Sequence, residues 1–263
     1  MTTDEAVVEA TRAWFTPRPG RPTQAYLPLG ASPLVIDFEG EQLAGFLTGG
    51  DGPVVLLVHG WASSSVQMGS FVDPLLAAGF RVAGFDHPAH GASSGSQTDV
   101  LALGRAVLRV ADEIGGVDIV VAHSIGAPAT VQAITDGLVL DGIVLIAPGT
   151  RLEDAYAAFV ERAGLPPLVA AGLRAQIEGR FGAAVWNELR LDEVAETLEL
   201  PVLIVHDPSD RQAPIEPVRA MAARWRGSRL VEVDGVGHNR VLAAPGVIED
   251  VVVFLRELAG SKV

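Results

Sequence analysis

Short apolar runs recur along this chain, separated by stretches that mix polar and apolar positions. Val54 to Val58, Arg81 to Phe85, Asp118 to Val121, Ile143 to Ile146 and Val202 to Val205 are such runs. A run of this length predicts a strand covered on both faces. Val35 to Phe38 and Leu43 to Leu47 precede them, and Leu230 to Val233 follows. Helices are predicted between most strands, over Val66 to Ala78, Thr98 to Ile114, Ala127 to Thr135, Pro214 to Trp225 and Gly246 to Leu258. Two antiparallel strands followed by alternating strand and helix predict the α/β class, with a doubly wound, mostly parallel, eight-stranded sheet.

The segment between Ile146 and Val202 breaks this rhythm. A structureless loop of that length does not suit a compact domain. Its content predicts helices instead, over Arg151 to Ala163, Pro166 to Phe181 and Ala183 to Leu189, then a last segment from Asp192 to Leu198. Because it leaves the sheet at a carboxyl strand end, it is expected to form a cap over residues 149–199 rather than a further layer on the sheet. At the other end, Thr2 and Glu5 have the spacing of a capping box, which predicts a short helix near residues 3–15. Thr16 to Pro33 is rich in proline and glycine and predicts an extended connector. The expected division is residues 1–33 as helix and connector, 34–148 with 200–263 as the α/β core, and 149–199 as the cap.

Composition narrows the chemistry. A chain of 263 residues accommodates one α/β domain with an insertion, and 49% hydrophobic content fits a sheet covered on both faces. The chain has no cysteine, which removes disulfides, thiolate metal sites and cysteine nucleophiles together. A formal net charge of −13 repels phosphate backbones and anionic lipid, so neither nucleic acid nor a membrane is an expected partner. No apolar stretch reaches the roughly 18 residues of a membrane span. The amino terminus starts Met1-Thr2-Thr3-Asp4-Glu5, unlike a secretory signal, so a soluble, cytoplasmic protein is expected. His87 and His90 lie three apart without a third ligand nearby, so no metal is expected. The glycines form no dinucleotide fingerprint, so no cofactor is expected either. Self-association stays open.

The candidate chemistry centres on Ala122-His123-Ser124-Ile125-Gly126, between a buried strand and a helix. A serine at a tight strand-to-helix turn needs small residues two positions before and after it, because neighbouring backbone passes close there. Such a serine also reads as a helix N-cap. Downstream partners in the right order favour the chemical reading: Asp210 on the loop after Val202 to Val205, with Asp207 in reserve and expected rather to tie down the turn before Pro208, then His238 between glycine-rich neighbours. A neutral imidazole that takes the serine proton turns a weak nucleophile into a competent one, and a carboxylate holds the imidazole in the required tautomer.

These segments resemble the α/β-hydrolase superfamily over about Val35 to Leu258. The likeness is carried by His59-Gly60-Trp61 after a buried strand, by Asp86-His87-Pro88-Ala89-His90-Gly91, by the serine turn, and by the Asp210 and His238 loops. Ala122 and Ala89 stand where glycine is commoner in the family. The resemblance implies a serine hydrolase that cleaves a small carboxylic ester through an acyl-enzyme, with Ser124, Asp210 and His238 as the triad. It places the backbone N–H groups of Trp61 and Ile125 in the oxyanion hole. Trp61, His123, Phe159 and Trp186 are expected to line the substrate pocket. Thioester hydrolysis, carbon–carbon hydrolysis and perhydrolysis use the same residues and stay open. A non-catalytic binding module of the same fold is the remote alternative.

Overall fold

The computed structural model describes residues 2–17 and 25–260, so part of the expected connector lies outside the described residues. Eight strands form one sheet: β1 (Ala31–Phe38), β2 (Glu41–Thr48), β3 (Val54–Val58), β4 (Arg81–Phe85), β5 (Ile119–His123), β6 (Gly142–Ile146), β7 (Val202–His206) and β8 (Ser228–Glu232). Their order across the sheet is β1-β2-β4-β3-β5-β6-β7-β8. β1 pairs antiparallel with β2, and β2 with β4; every later pairing is parallel. The strand order reverses between β3 and β5, which sit side by side with Val58 opposite Ala122. In open α/β sheets, that reversal opens a crevice beyond the carboxyl ends of the strands.

The interior strands are buried along their whole length because helices cover both faces. Successive side chains point to opposite sides. Leu56, Val58, Val120, Ala122 and Leu145 join one core cluster, while Val55, Leu57, Val121, Val144 and Ile146 join another. Chain order places α1 (Thr3–Phe15), α2 (Val72–Ala77), α3 (Val100–Glu113) and α4 (Gly126–Thr135) before β6. After β6 come α5 (Leu152–Ala163), α6 (Pro167–Phe181), α7 (Val185–Glu188) and α8 (Leu191–Val194). The last three are α9 (Ile215–Arg224), α10 (Gly237–Arg240) and α11 (Pro245–Gly260).

One predicted helix and one predicted loop differ in detail. The segment predicted over Val66 to Ala78 splits into a 3₁₀ stretch, Ser65–Phe71, followed by α2. Pro74 explains the break: it lacks an N–H and clashes with the preceding turn inside a helix, but is tolerated in the first turn of a new one. His238, expected on an open loop, lies in the short helix α10, entered through Gly235 and Gly237 at φ 73° and 69°.

The insert between β6 and β7 closes on itself. An isolated bridge joins Arg151 to Arg190, and the Leu191 N–H donates to the Thr150 carbonyl at 2.8 Å. Between the two arginines, Asp192 accepts from Arg151 at 2.6 Å and from Arg190 at 3.0 Å. Burial alone would raise the Asp192 pKa; the two guanidinium groups outweigh it and hold the carboxyl at about 2. α1 packs on this insert rather than on the sheet. It starts with the capping box, Glu5 N–H to Thr2 Oγ1 and Thr2 N–H to Glu5 Oε2. Phe15 joins Leu173, Ile177, Val185, Trp186 and Leu189 in a third apolar cluster.

Candidate active site

Ser124 sits between the last residue of β5 and the first turn of α4, with φ 54°. This left-handed backbone is disfavoured for any residue with a Cβ. The turn is held from outside: the Ser124 N–H donates to the Ile146 carbonyl at 3.0 Å, and its carbonyl accepts from Gly149 at 3.2 Å. Gly126 is required sterically, since a Cβ there would lie 2.8 Å from the Val58 carbonyl oxygen and 2.9 Å from that of His59. Ala122 is fully buried in the core cluster, so its methyl is accommodated.

The three side chains named from the sequence meet at this turn. His238 Nε2 lies 2.9 Å from Ser124 Oγ, and His238 Nδ1 lies 2.6 Å from Asp210 Oδ2. With the carboxylate accepting from Nδ1–H, the Nε2 lone pair faces the serine hydroxyl. Asp210 is 8% exposed, and its other oxygen accepts from the Gln212 and Ala213 N–H groups at 2.7 and 3.2 Å. Burial raises the Asp210 pKa, but the His238 bond and these amides outweigh it, so the group is held below its ordinary value.

Asp207 has a different task. Its Oδ1 accepts from the Ser209 N–H and hydroxyl, both at 2.7 Å, and its Oδ2 accepts from the Gly237 N–H at 2.6 Å. It therefore ties the turn after β7 to the start of α10. Burial raises its pKa; the Gly237 and Ser209 bonds more than reverse this and set it at about 2. The reserve position in the sequence reading thus braces the loop that carries the acid.

Trp61 lies in the turn after β3, half-buried, with its ring 5.0 Å from that of His90. His59 shapes this turn. Its Nδ1 donates to the Gly60 carbonyl at 2.7 Å, because its Nε2 accepts from the His87 N–H at 3.0 Å. Burial pushes its pKa down to about 4, against the opposing Gly60 bond, so the ring is neutral. Ile125 immediately precedes α4, where the first amides of a helix have no partner within it. The Trp61 and Ile125 amides thus flank the crevice between β3 and β5.

The remaining pocket candidates lie elsewhere than expected. The His123 ring is 1% exposed and turned inward, with Nε2 2.9 Å from the His238 carbonyl oxygen. Trp186 is 7% exposed in the insert's own cluster, and its indole N–H donates to Glu178 at 2.8 Å. The Phe159 ring packs 5.2 Å from Trp14 of α1. These two aromatic residues fill the contact between α1 and the insert, which no periodicity in the sequence signals. Among the described residues, no group of three or more histidines and carboxylates could hold a metal ion, and no helix is long and apolar enough to cross a membrane.

A strand-order reversal topped by a strained serine, an imidazole and a carboxylate defines the class of the α/β hydrolases. The family model for alpha/beta hydrolases matches residues 55–251, and the chain belongs to that family. None of the curated proteins matches the sequence. Solved structures share the fold at low identity. The Pyrococcus furiosus esterase Pf2001 is 21% identical, with a TM-score of 0.70 over 92% of this chain and 98% of its own. The Exiguobacterium antarcticum esterase is 18% identical, with a TM-score of 0.68 over 86% of this chain and 100% of its own. Est1E from Butyrivibrio proteoclasticus, solved with ferulic acid, is 19% identical, with a TM-score of 0.66 over 86% of this chain and 99% of its own.

Proposed function

We propose that this chain is a serine hydrolase that cleaves carboxylic esters through an acyl-enzyme. The observation that carries the reading is the unbroken chain of hydrogen bonds from Asp210 through His238 to Ser124, at 2.6 and 2.9 Å. His238 takes the serine proton as Oγ attacks the ester carbonyl, then returns it to the departing alcohol. Water repeats the cycle on the acyl-enzyme and releases the acid. Negative charge on the carbonyl oxygen is met by the N–H groups of Ile125 and Trp61, each worth on the order of 3 kcal/mol in the transition state. Esterases among the solved structures of this fold make esters the first substrate class to test. The insert acts as a cap, with its root tied to the nucleophile turn by the Gly149–Ser124 bond.

Ser124→Ala is expected to lower turnover of p-nitrophenyl acetate by about 10⁴-fold or more while circular dichroism stays unchanged. Undiminished turnover in that variant would overturn the assignment.

A further inference from the structure

His123 precedes the nucleophile in the chain, and its ring is buried beside the imidazole of His238. Its Nε2 is 2.9 Å from the carbonyl oxygen of His238, so Nε2 carries the proton and donates. The Nδ1 atom is then a bare acceptor. It is buried without a hydrogen-bond partner, in a space so close to Gly60 that a Cβ there would lie 2.9 Å away. A polar atom left unsatisfied in this way is disfavoured, so something must hold the ring in this pose. Among the described residues, the ring's only hydrogen bond is the one to the residue that carries the base.

The short helix α10 has few other tethers to the sheet. Gly237 is held by Asp207, and the Asn239 side chain accepts from Gln67 at 3.1 Å. The Arg240 bonds run back to Val236 and Gly235, within the same loop. Among these contacts, only His123 grips the main chain of residue 238 itself, and it does so from the strand that delivers Ser124.

We infer that His123 is a positioning residue, which pins the His238 main chain so that the imidazole stays aligned with Ser124 Oγ. The inference rests on the esterase reading above. It also requires a neutral ring, since a proton on Nδ1 would meet no acceptor. Burial supplies that neutrality, with help from the neighbouring His238 and against the opposing His238 carbonyl bond, and sets the pKa at about 4. The ring therefore adds no competing charge when His238 becomes imidazolium, 4.9 Å away.

The test begins with labelling of the unaltered protein by a fluorophosphonate probe. Absence of an adduct at Ser124 would remove the esterase reading itself. With labelling established, three variants separate alignment from mere packing. His123→Leu keeps the bulk and removes the donor. His123→Asn keeps polarity but falls short of the carbonyl, and serves where leucine is not accommodated. His123→Gln can place an amide N–H where Nε2 stood. The expected result is a kcat on p-nitrophenyl acetate lowered about 10- to 100-fold in His123→Leu and His123→Asn, as for a small misplacement of a reacting group. KM should change much less, and His123→Gln should recover most of the loss. Full kcat in folded His123→Asn, or a His123→Gln variant as slow as His123→Leu at equal melting temperature, would overturn the inference.

Discussion

The Ser124 backbone is the point where local preference and chemistry oppose each other. A Cβ in the left-handed region costs about 1–2 kcal/mol. Glycine removes that cost but adds about 0.4–1 kcal/mol of unfolded-chain entropy. The first figure is the larger, so Ser124→Gly is expected to be more stable than Ser124→Ala by about 0.5–1 kcal/mol, read as a higher urea midpoint. A lower midpoint for Ser124→Gly than for Ser124→Ala would mean the turn stores no strain, because only the entropy cost of glycine would remain. The two aspartates separate just as sharply. Asp210→Asn replaces the partner of the Nδ1–H and is expected to lower kcat by about 10⁴-fold. Asp207→Asn keeps one acceptor oxygen and leaves the His238–Asp210 bond intact, so its effect should fall mainly on melting temperature. Equal losses of kcat would mean that the two roles are not separate. Both acids were legible as loop residues after an apolar strand, with Asp210 as the acid and Asp207, directly off the strand, as the tie of the turn before Pro208. The reach of Asp207 to the Gly237 amide was not legible, because it follows from how the β7 and β8 ends approach each other.

Elements were legible wherever burial alone dictates sequence. Strands β3, β5, β6 and β7 are covered on both faces and therefore read as continuous apolar runs. α3 was legible from its periodicity, and Asp99 caps it by accepting from the Ala102 N–H at 2.9 Å. The docking of α1 was not legible, because its partner surface exists only once the insert has folded. That docking makes a prediction of unusual sign. In a helix interior, Gly→Ala normally stabilises by roughly 1 kcal/mol. At Gly172 of α6, however, a Cβ would lie 2.3 Å from Val7 Cγ2 of α1. Gly172→Ala is therefore expected to destabilise the docking of α1 by about 1–3 kcal/mol. In a Val7→Ala background the same change should become neutral or stabilising, and the coupling is read from a double-mutant cycle on melting temperature. Simple additivity would mean that the two helices do not interlock there.

At the scale of the whole molecule, all six histidines lie at or beyond the carboxyl edge of the sheet, and five of them are buried. Four of the buried rings, His59, His87, His123 and His206, serve there as neutral bulk that hydrogen-bonds to main-chain carbonyls. Burial is the main force lowering the pKa of His59 and His123 to about 4, that of His87 well below its ordinary 6.5, and that of His206 below it as well. In the unfolded chain these groups take up protons as pH falls through 6.5, whereas the folded chain resists. The unfolded state therefore binds more protons across this window, and stability must fall as pH falls. Above about pH 6.5 the native state keeps the full benefit of neutral rings. Between pH 6.5 and 4, His59 and His123 each remove up to about 1.4 kcal/mol per pH unit, and His87 and His206 act in the same direction below 6.5. Several acting together are comparable to the roughly 5–15 kcal/mol that holds a domain folded. Asp192 and Asp207 act lower, with their stabilisation lost only as pH drops from about 3.8 towards 2. Acid unfolding should therefore be driven by histidine before carboxylate: the urea midpoint is expected to fall steadily from pH 7 to pH 5, well above the carboxylate range. A midpoint that is flat over that interval and drops only below pH 4 would show that the buried imidazoles titrate alike in both states, and that the acidic pairs alone set the limit.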